Sequence, residues 1–84
     1  MRLPCENIHD FINGIKHHYS VTTDDHYEQG KAITLYNDYK ECDFRVENII
    51  RFNEHAVLSL KKVEGSEYER DVHSTYYGMT NPLD

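Results

Sequence analysis

The segment from residue 44 to residue 52 alternates apolar and charged side chains more regularly than any other part of this chain. Its apolar positions are Phe44, Val46, Ile50 and Phe52, and its charged positions are Arg45, Glu47 and Arg51. A period of two is typical of a β-strand with one face on a core and the other in solvent. Asn48 interrupts the apolar face and Ile49 the charged face. The pattern predicts the main strand of a sheet.

The next apolar segment, residues 56–63, predicts a second strand that forms a hairpin with the first. A three-residue loop at 53–55 keeps the apolar face continuous, whereas a two-residue loop would set Val46 opposite Lys61. The expected register pairs Phe52 with Ala56, Ile50 with Leu58 and Asn48 with Leu60.

Three further segments, residues 19–23, 31–37 and 68–77, also predict strands. The last of them is polar with one weakly apolar side, which is typical of an edge strand protected from aggregation by charge. The tail at 79–84 contains Asn81-Pro82 and is expected to be loose.

Residues 6–19 predict a helix, because their apolar side chains recur at helical spacing. These side chains are Ile8, Phe11, Ile12, Ile15 and Tyr19. The dipeptide Asn13-Gly14 inside this segment is by itself a strong hairpin signal. We prefer the helix because two apolar residues stand side by side just before that dipeptide, and we keep the hairpin as the alternative.

Together these elements predict an α+β domain, with one N-terminal helix packed on a small, mostly antiparallel, four- to five-stranded sheet in two layers. The 84 residues leave room for one domain, residues 1–84. No apolar run approaches the roughly 20 residues of a membrane span, and no signal segment opens the chain. We therefore expect a cytoplasmic protein that does not contact a membrane, with Cys5 and Cys42 as reduced thiols.

No residue pattern of a known catalytic or metal site is present. The six histidines lack the spacing of an HExxH or Cys/His motif. Cys5 lies four residues before His9 but lacks the strand–turn–helix context that exposes a nucleophile. We expect Cys5 to extend the apolar face of the helix, and we expect no catalytic residue, no cofactor and no metal.

Acidic residues dominate the charge, with 15 Asp and Glu against nine Lys and Arg and a formal net charge of −6. The carboxylates gather in three turn-centred groups, with tyrosines among them. Tyr combines a large contact area with a polar tip and is enriched at protein interfaces. The candidate partner-binding residues are Asp24, Asp25, Tyr27 and Glu28, then Asp38, Tyr39, Glu41 and Asp43, and finally Glu64, Glu67, Tyr68, Glu69 and Asp71.

An acidic surface repels nucleic-acid phosphates and attracts a basic protein surface. The first hypothesis is therefore an inhibitor that occupies the basic, nucleic-acid-binding surface of a partner protein and does not bind nucleic acid itself. In size, charge and layout the chain resembles phage-encoded antagonists, such as anti-CRISPR and anti-restriction proteins, and toxin-immunity proteins. The alternatives are an accessory subunit or homodimer, and a small His-dependent metal-binding protein or enzyme.

Overall fold

One curled sheet dominates the computed structural model, which describes residues 1–22 and 26–70. In chain order the elements of these residues are β1 (Arg2–Pro4), α1 (Ile8–Ile12), β2 (His18–Val21), β3 (Ala32–Tyr36), β4 (Lys40–Arg51), β5 (Ala56–Lys62) and β6 (Tyr68–Glu69). The sheet has the strand order β1-β3-β4-β5-β2, and β6 pairs with the start of β4. β1 and β3 run parallel, whereas β3–β4, β4–β5, β5–β2 and β4–β6 are antiparallel.

A mostly antiparallel sheet with an N-terminal helix is therefore confirmed, and the finer architecture is corrected. The strands predicted at 19–23, 31–37 and 56–63 correspond to β2, β3 and β5. The sheet has six strands within the described residues, one more than the predicted maximum, and α1 is only five residues long. The strand that the sequence did not suggest is β1, since three residues are too few to show a period.

The core lies between α1 and the face of the sheet that it covers. Ile8 and Phe11 are the buried residues of α1, and the Phe11 ring meets the Phe44 ring edge-on at a centroid distance of 6.2 Å. The sheet contributes the remaining buried apolar side chains, which include Ile33, Leu35, Val46, Leu58 and Leu60. Full burial of one such side chain contributes about 1.5–3 kcal/mol, so this layer is the main source of stability.

The curl of the sheet brings its two edges together. The Tyr19 hydroxyl on β2 donates a hydrogen bond of 2.6 Å to the Pro4 carbonyl on β1. Burial raises the pKa of the Tyr19 phenol, so the hydroxyl keeps the proton that this hydrogen bond needs. The contact joins the edge strands across the open side of the sheet.

The helix predicted over residues 6–19 ends at Ile12, and the reason lies in Asn13-Gly14. Gly14 has a φ of +77°, a left-handed conformation that glycine adopts without steric cost. The Ile15 N–H donates to the Asp10 carbonyl at 2.8 Å, and the Gly14 N–H donates to the Phe11 carbonyl at 3.3 Å. These two bonds form a Schellman motif, the common glycine-dependent end of a helix. The dipeptide is thus neither helix interior nor hairpin turn, and both expectations for it were wrong.

The β4–β5 hairpin forms, but its register differs from the prediction by one residue. Arg51 pairs with Ala56 and Ile49 with Leu58, and the Phe52 N–H closes a four-residue turn on the His55 carbonyl at 2.8 Å. These pairs have the register of a two-residue loop, so the predicted three-residue loop was wrong. A β-bulge between Val46 and Asn48 shifts the register once more, so that Val46 pairs with Leu60 and not with Lys61. It inserts one extra residue into β4 and reverses the alternation beyond it. Ile49 consequently faces the core, whereas Ile50 and Phe52 are exposed.

β6 begins at Tyr68, as predicted, but ends at Glu69. The remainder of the predicted strand from residue 71 onward, and the tail at 79–84, lie outside the described residues. Within the described residues, no helix is both long enough and apolar enough to cross a membrane.

Ser66 holds the loop that connects β5 to β6. Its buried hydroxyl accepts a hydrogen bond from the Asp43 N–H at 3.0 Å and donates to the Val63 carbonyl at 2.6 Å. Gly65, with a φ of +77°, supplies the left-handed turn just before it. β4 pairs with β5 on one side of Asp43 and with β6 on the other. Between the two, the Ser66 hydroxyl takes the place of a backbone acceptor for β4.

We expect Ser66→Ala to lower the free energy of unfolding by about 1–3 kcal/mol, because it removes the side-chain acceptor of the partly buried Asp43 N–H. Urea denaturation followed by circular dichroism measures the change. Ser59→Ala, on the outward side of β5, is the matched control and should change stability by less than about 0.5 kcal/mol. Equal effects of the two substitutions would contradict this role of the Ser66 hydroxyl.

Candidate functional site

The turn between β3 and β4 is built around Asn37. Its side-chain oxygen accepts hydrogen bonds from the backbone N–H groups of Tyr39 and Lys40, both at 2.8 Å. The Asn37 N–H in turn donates to the Lys40 carbonyl at 2.9 Å. Asn favours such turns because its side chain satisfies nearby backbone donors. Asp38 and Tyr39 are thereby exposed at the tip of an ordered turn.

Two of the three acidic groups meet at this end of the sheet. The pairing of β6 with β4 sets Glu69 beside Lys40 and Tyr68 beside Glu41. The second acidic group, which includes Glu41, and the third, which includes Glu69, therefore both lie at the end of β4 that adjoins the β3–β4 turn. Glu64 is exposed in the turn that follows β5.

The first acidic group does not join them. Tyr27 is buried, and its carbonyl accepts a hydrogen bond of 3.5 Å from Arg51, the last residue of β4. A strand of twelve residues spans about 36 Å at ~3.3 Å per residue, so Tyr27 and the exposed Glu28 lie near the opposite end of β4. Asp24, Asp25 and Asp71 fall outside the described residues.

Several of the predicted carboxylates are engaged within the protein. Lys40 contacts both Glu67 and Glu69, the latter at 3.3 Å, and Lys62 contacts Glu67 at 3.4 Å. The hydrogen bond between Lys40 and Glu67 raises the pKa of the lysine and lowers the pKa of the glutamate. Lys40 and Lys62 therefore neutralise much of the negative charge of Glu67 and Glu69.

Glu41 is held in the same way by two arginines. Arg2 approaches its Oε1 atom at 3.1 Å and Arg70 at 3.8 Å. Both guanidinium groups also lie over the Tyr36 ring, 4.9 Å and 5.2 Å from its centroid. Asp43 accepts a hydrogen bond of 2.6 Å from the Thr34 hydroxyl. These carboxylates hold β1, β3 and β4 together and are poor candidates for direct contact with a partner.

Glu6 and Asp38 differ, because neither carboxylate has an ion-pair partner among residues 1–22 and 26–70. Both line a cleft of about 370 Å³ at the β3–β4 turn, together with Pro4, Cys5, Tyr36, Asn37 and Tyr39. Asp38 and Tyr39 were predicted as site residues from the sequence, whereas Glu6 was missed. Its position depends on β1, which has no sequence signal of its own.

The two thiols are unbridged and buried. Burial raises the pKa of both Cys5 and Cys42, so at neutral pH they are thiols, which are poor nucleophiles. Cys5 precedes α1 and does not extend its face as expected, although it still belongs to the core. Within the described residues, no three His, Cys, Asp or Glu side chains are grouped so that they could hold a metal ion.

The charge of the described residues is smaller than the sequence suggests. They contain all nine Lys and Arg but only eleven of the 15 Asp and Glu, so their formal charge is nine minus eleven, or −2. The other four acidic residues are Asp24, Asp25, Asp71 and Asp84. The net charge alone therefore does not locate an acidic surface, and the cleft shared by Glu6 and Asp38 is the better guide.

Comparison of the chain with known protein families and with curated protein sequences gives no match. The cleft at the β3–β4 turn, where Glu6 and Asp38 lie among tyrosines, is thus the candidate site on its geometry and charge alone.

Proposed function

We propose that this protein is a non-enzymatic binding module that docks on a basic surface of a partner protein. The contact surface is the β3–β4 end, which we define as the β3–β4 turn, the residues just after β1, and β6. The observation that supports it is the cleft lined by Glu6 and Asp38, whose carboxylates have no ion-pair partner within residues 1–22 and 26–70, beside exposed tyrosine rings at one end of the sheet.

The physical basis is electrostatic complementarity combined with aromatic contact area. Tyr39 and Tyr68 are 58% and 59% exposed, and tyrosines of this kind often supply the largest contributions in protein interfaces. Unpaired carboxylates steer a basic partner toward the surface and fix its orientation. Because the Asn37 hydrogen bonds order the turn, little conformational entropy is lost on binding.

The more specific form of the proposal is an antagonist that covers a basic, nucleic-acid-binding groove of its partner. Phage anti-defence proteins and immunity proteins work in this general way, and the small size and acidic character of the chain are compatible with it. The charges of Asp24, Asp25 and Asp71 would add to the long-range attraction at low ionic strength.

The direct test is affinity capture of partners with the wild-type protein at low and high salt. We expect a basic protein to be recovered at low salt and to be lost as salt screens the interaction. Tyr68→Ala should weaken binding of that protein by about tenfold, because tyrosine is enriched among the few interface residues that carry most of the binding energy. Binding constants from surface plasmon resonance give the comparison.

Phe52→Ala is the matched control, because Phe52 is a similarly exposed ring, at 54%, next to the other end of β4. It should leave binding unchanged. Recovery of only neutral or acidic proteins would contradict the proposal.

The second candidate function, an accessory subunit or homodimer, is favoured by the exposed apolar side chains of the β4–β5 hairpin. Ile50 is 46% exposed, and the exposed Phe52 ring stacks on His55 at a centroid distance of 4.6 Å. If Phe52→Ala weakens association and Tyr68→Ala does not, the hairpin is the interface and this second function replaces the first.

A further inference from the structure

The parallel pairing of β1 with β3 creates the cleft. Parallel strands end at the same edge of a sheet, so the residues that follow β1 lie beside those that follow β3. The Cys5 N–H donates to the Tyr36 carbonyl at 2.7 Å, and the Asn37 side-chain amide donates to the Glu6 carbonyl at 3.4 Å. Glu6 and Asp38 thus both line one cleft, although 31 residues separate Glu6 from Asn37.

The charges around the cleft favour a cation inside it. Arg2 and Arg70 are the guanidinium groups over Tyr36, and both contact Glu41, which offsets one of their two positive charges. With the carboxylates of Glu6 and Asp38 counted, the formal charge of these five groups is −1. Neither arginine forms an ion pair with Glu6 or Asp38 within the described part of the chain. Glu6 and Asp38 both carry a negative charge, and a cation bound in the cleft that they line is attracted to both.

The size and lining of the cleft restrict the cation. A volume of about 370 Å³ is near the lower limit of ligand pockets, and it is large enough for one long side chain. Pro4 and the two tyrosines provide apolar contact for an alkyl stem, while the carboxylates suit an ammonium or guanidinium head. Lysine and arginine are the side chains that combine such a stem with such a head.

We propose that the cleft accepts a single lysine or arginine side chain from the partner, with Glu6 and Asp38 binding its charged head. The inference rests on the proposed function, since it names the group of the basic partner that this surface recognises. It also identifies Glu6 as a specificity residue that the sequence did not indicate.

The test is a titration of ¹⁵N-labelled protein, at low salt, with three capped tripeptides. Acetyl-Gly-Lys-Gly-amide and acetyl-Gly-Arg-Gly-amide carry the cation, and the citrulline analogue of the latter has nearly the same shape without the charge. We expect saturable shifts of the Glu6, Asn37, Asp38 and Tyr39 amide resonances with at least one cationic peptide and none with citrulline. The E6Q/D38N double variant should bind the cationic peptide about tenfold more weakly.

The E47Q/E54Q double variant is the charge-matched control, because it removes two exposed carboxylates elsewhere. It should bind the peptide as the wild type does. Equal shifts with citrulline, equal loss in the two double variants, or no shifts with any peptide would overturn the cleft assignment. If the wild type still captures a basic protein and E6Q/D38N captures it equally well, the cleft is wrong while the proposed function stands. If no basic protein is captured, the proposed function itself fails.

Discussion

Replacement of Phe44 by alanine should lower the free energy of unfolding by about 3–5 kcal/mol, the range measured for deletion of a buried ring. Phe44 is 1% exposed and packs against the Phe11 ring of α1. It also lies on β4, which pairs with three other strands. The cavity would therefore form where the helix meets the most connected strand of the sheet.

Phe52→Ala is the matched control for this substitution, since the same atoms are removed from an exposed position. It should cost less than about 1 kcal/mol, because an exposed side chain loses little burial. Urea denaturation followed by far-UV circular dichroism measures both, and the chain has no Trp to report by fluorescence. A domain of this size has a total stability near the lower end of about 5–15 kcal/mol. Phe44→Ala should accordingly be largely unfolded at physiological temperature, and similar midpoints for the two variants would contradict the assigned core.

The strands with a clear period were predictable from the sequence, and the elements without one were not. β4, β5 and β3 follow from apolar alternation, because one buried face imposes a period of two. Three residues are too few to show a period, so β1 could not be predicted from the sequence. Its parallel pairing with β3 is determined by the tertiary structure and not by a local pattern. The early end of α1 had a signal in Gly14, which is the residue most typical of a helix end. The hairpin and helix alternatives considered for that dipeptide did not include this role.

The candidate site, like the fold, was predictable from the sequence only in part. Asp38 and Tyr39 belong to a turn that polar composition identifies, so their exposure follows from the sequence. Glu6 joins them only through β1. The ion-pair partners of the carboxylates could not be predicted from the sequence for a related reason. Arg2 lies far along the chain from Glu41 and contacts it only across the sheet. Counting carboxylates therefore overestimated the acidic surface.

The bulge in β4 did leave a trace in the sequence. Asn48 on the apolar face and Ile49 on the charged face look like two separate interruptions of one alternation. A single extra residue at Glu47 explains both, because it exchanges the two faces for the rest of the strand. The alternation predicted from the sequence placed Ile50 and Phe52 on the core-facing side, whereas both are exposed in the structure. Two adjacent interruptions of an alternating strand pattern are therefore better interpreted as one β-bulge than as two independent exceptions to the pattern.

This interpretation predicts opposite results for two single-residue deletions. Deletion of Glu47 removes the extra residue, so Val46 still faces the core, Asn48 faces out and Ile49 faces in. We expect that variant to fold, with a loss of about 1–2 kcal/mol for the altered local twist. Deletion of Arg45 shortens β4 by the same amount but turns Val46 outward and Glu47 inward when the flanking residues keep their faces.

Burying the Glu47 carboxylate without a partner costs several kcal/mol, and the loss of Val46 from the core adds about 1.5–3 kcal/mol. Together these exceed much of the stability available to a small domain, so the chain without Arg45 should be unfolded in water. Circular dichroism and the dispersion of ¹H–¹⁵N resonances distinguish a folded chain from an unfolded one. Two equally folded deletion variants would mean that the bulge does not set the faces of β4. Loss of folding in both would mean that the strand tolerates no shortening, and only the predicted contrast supports Glu47 as the residue at which the pattern reverses.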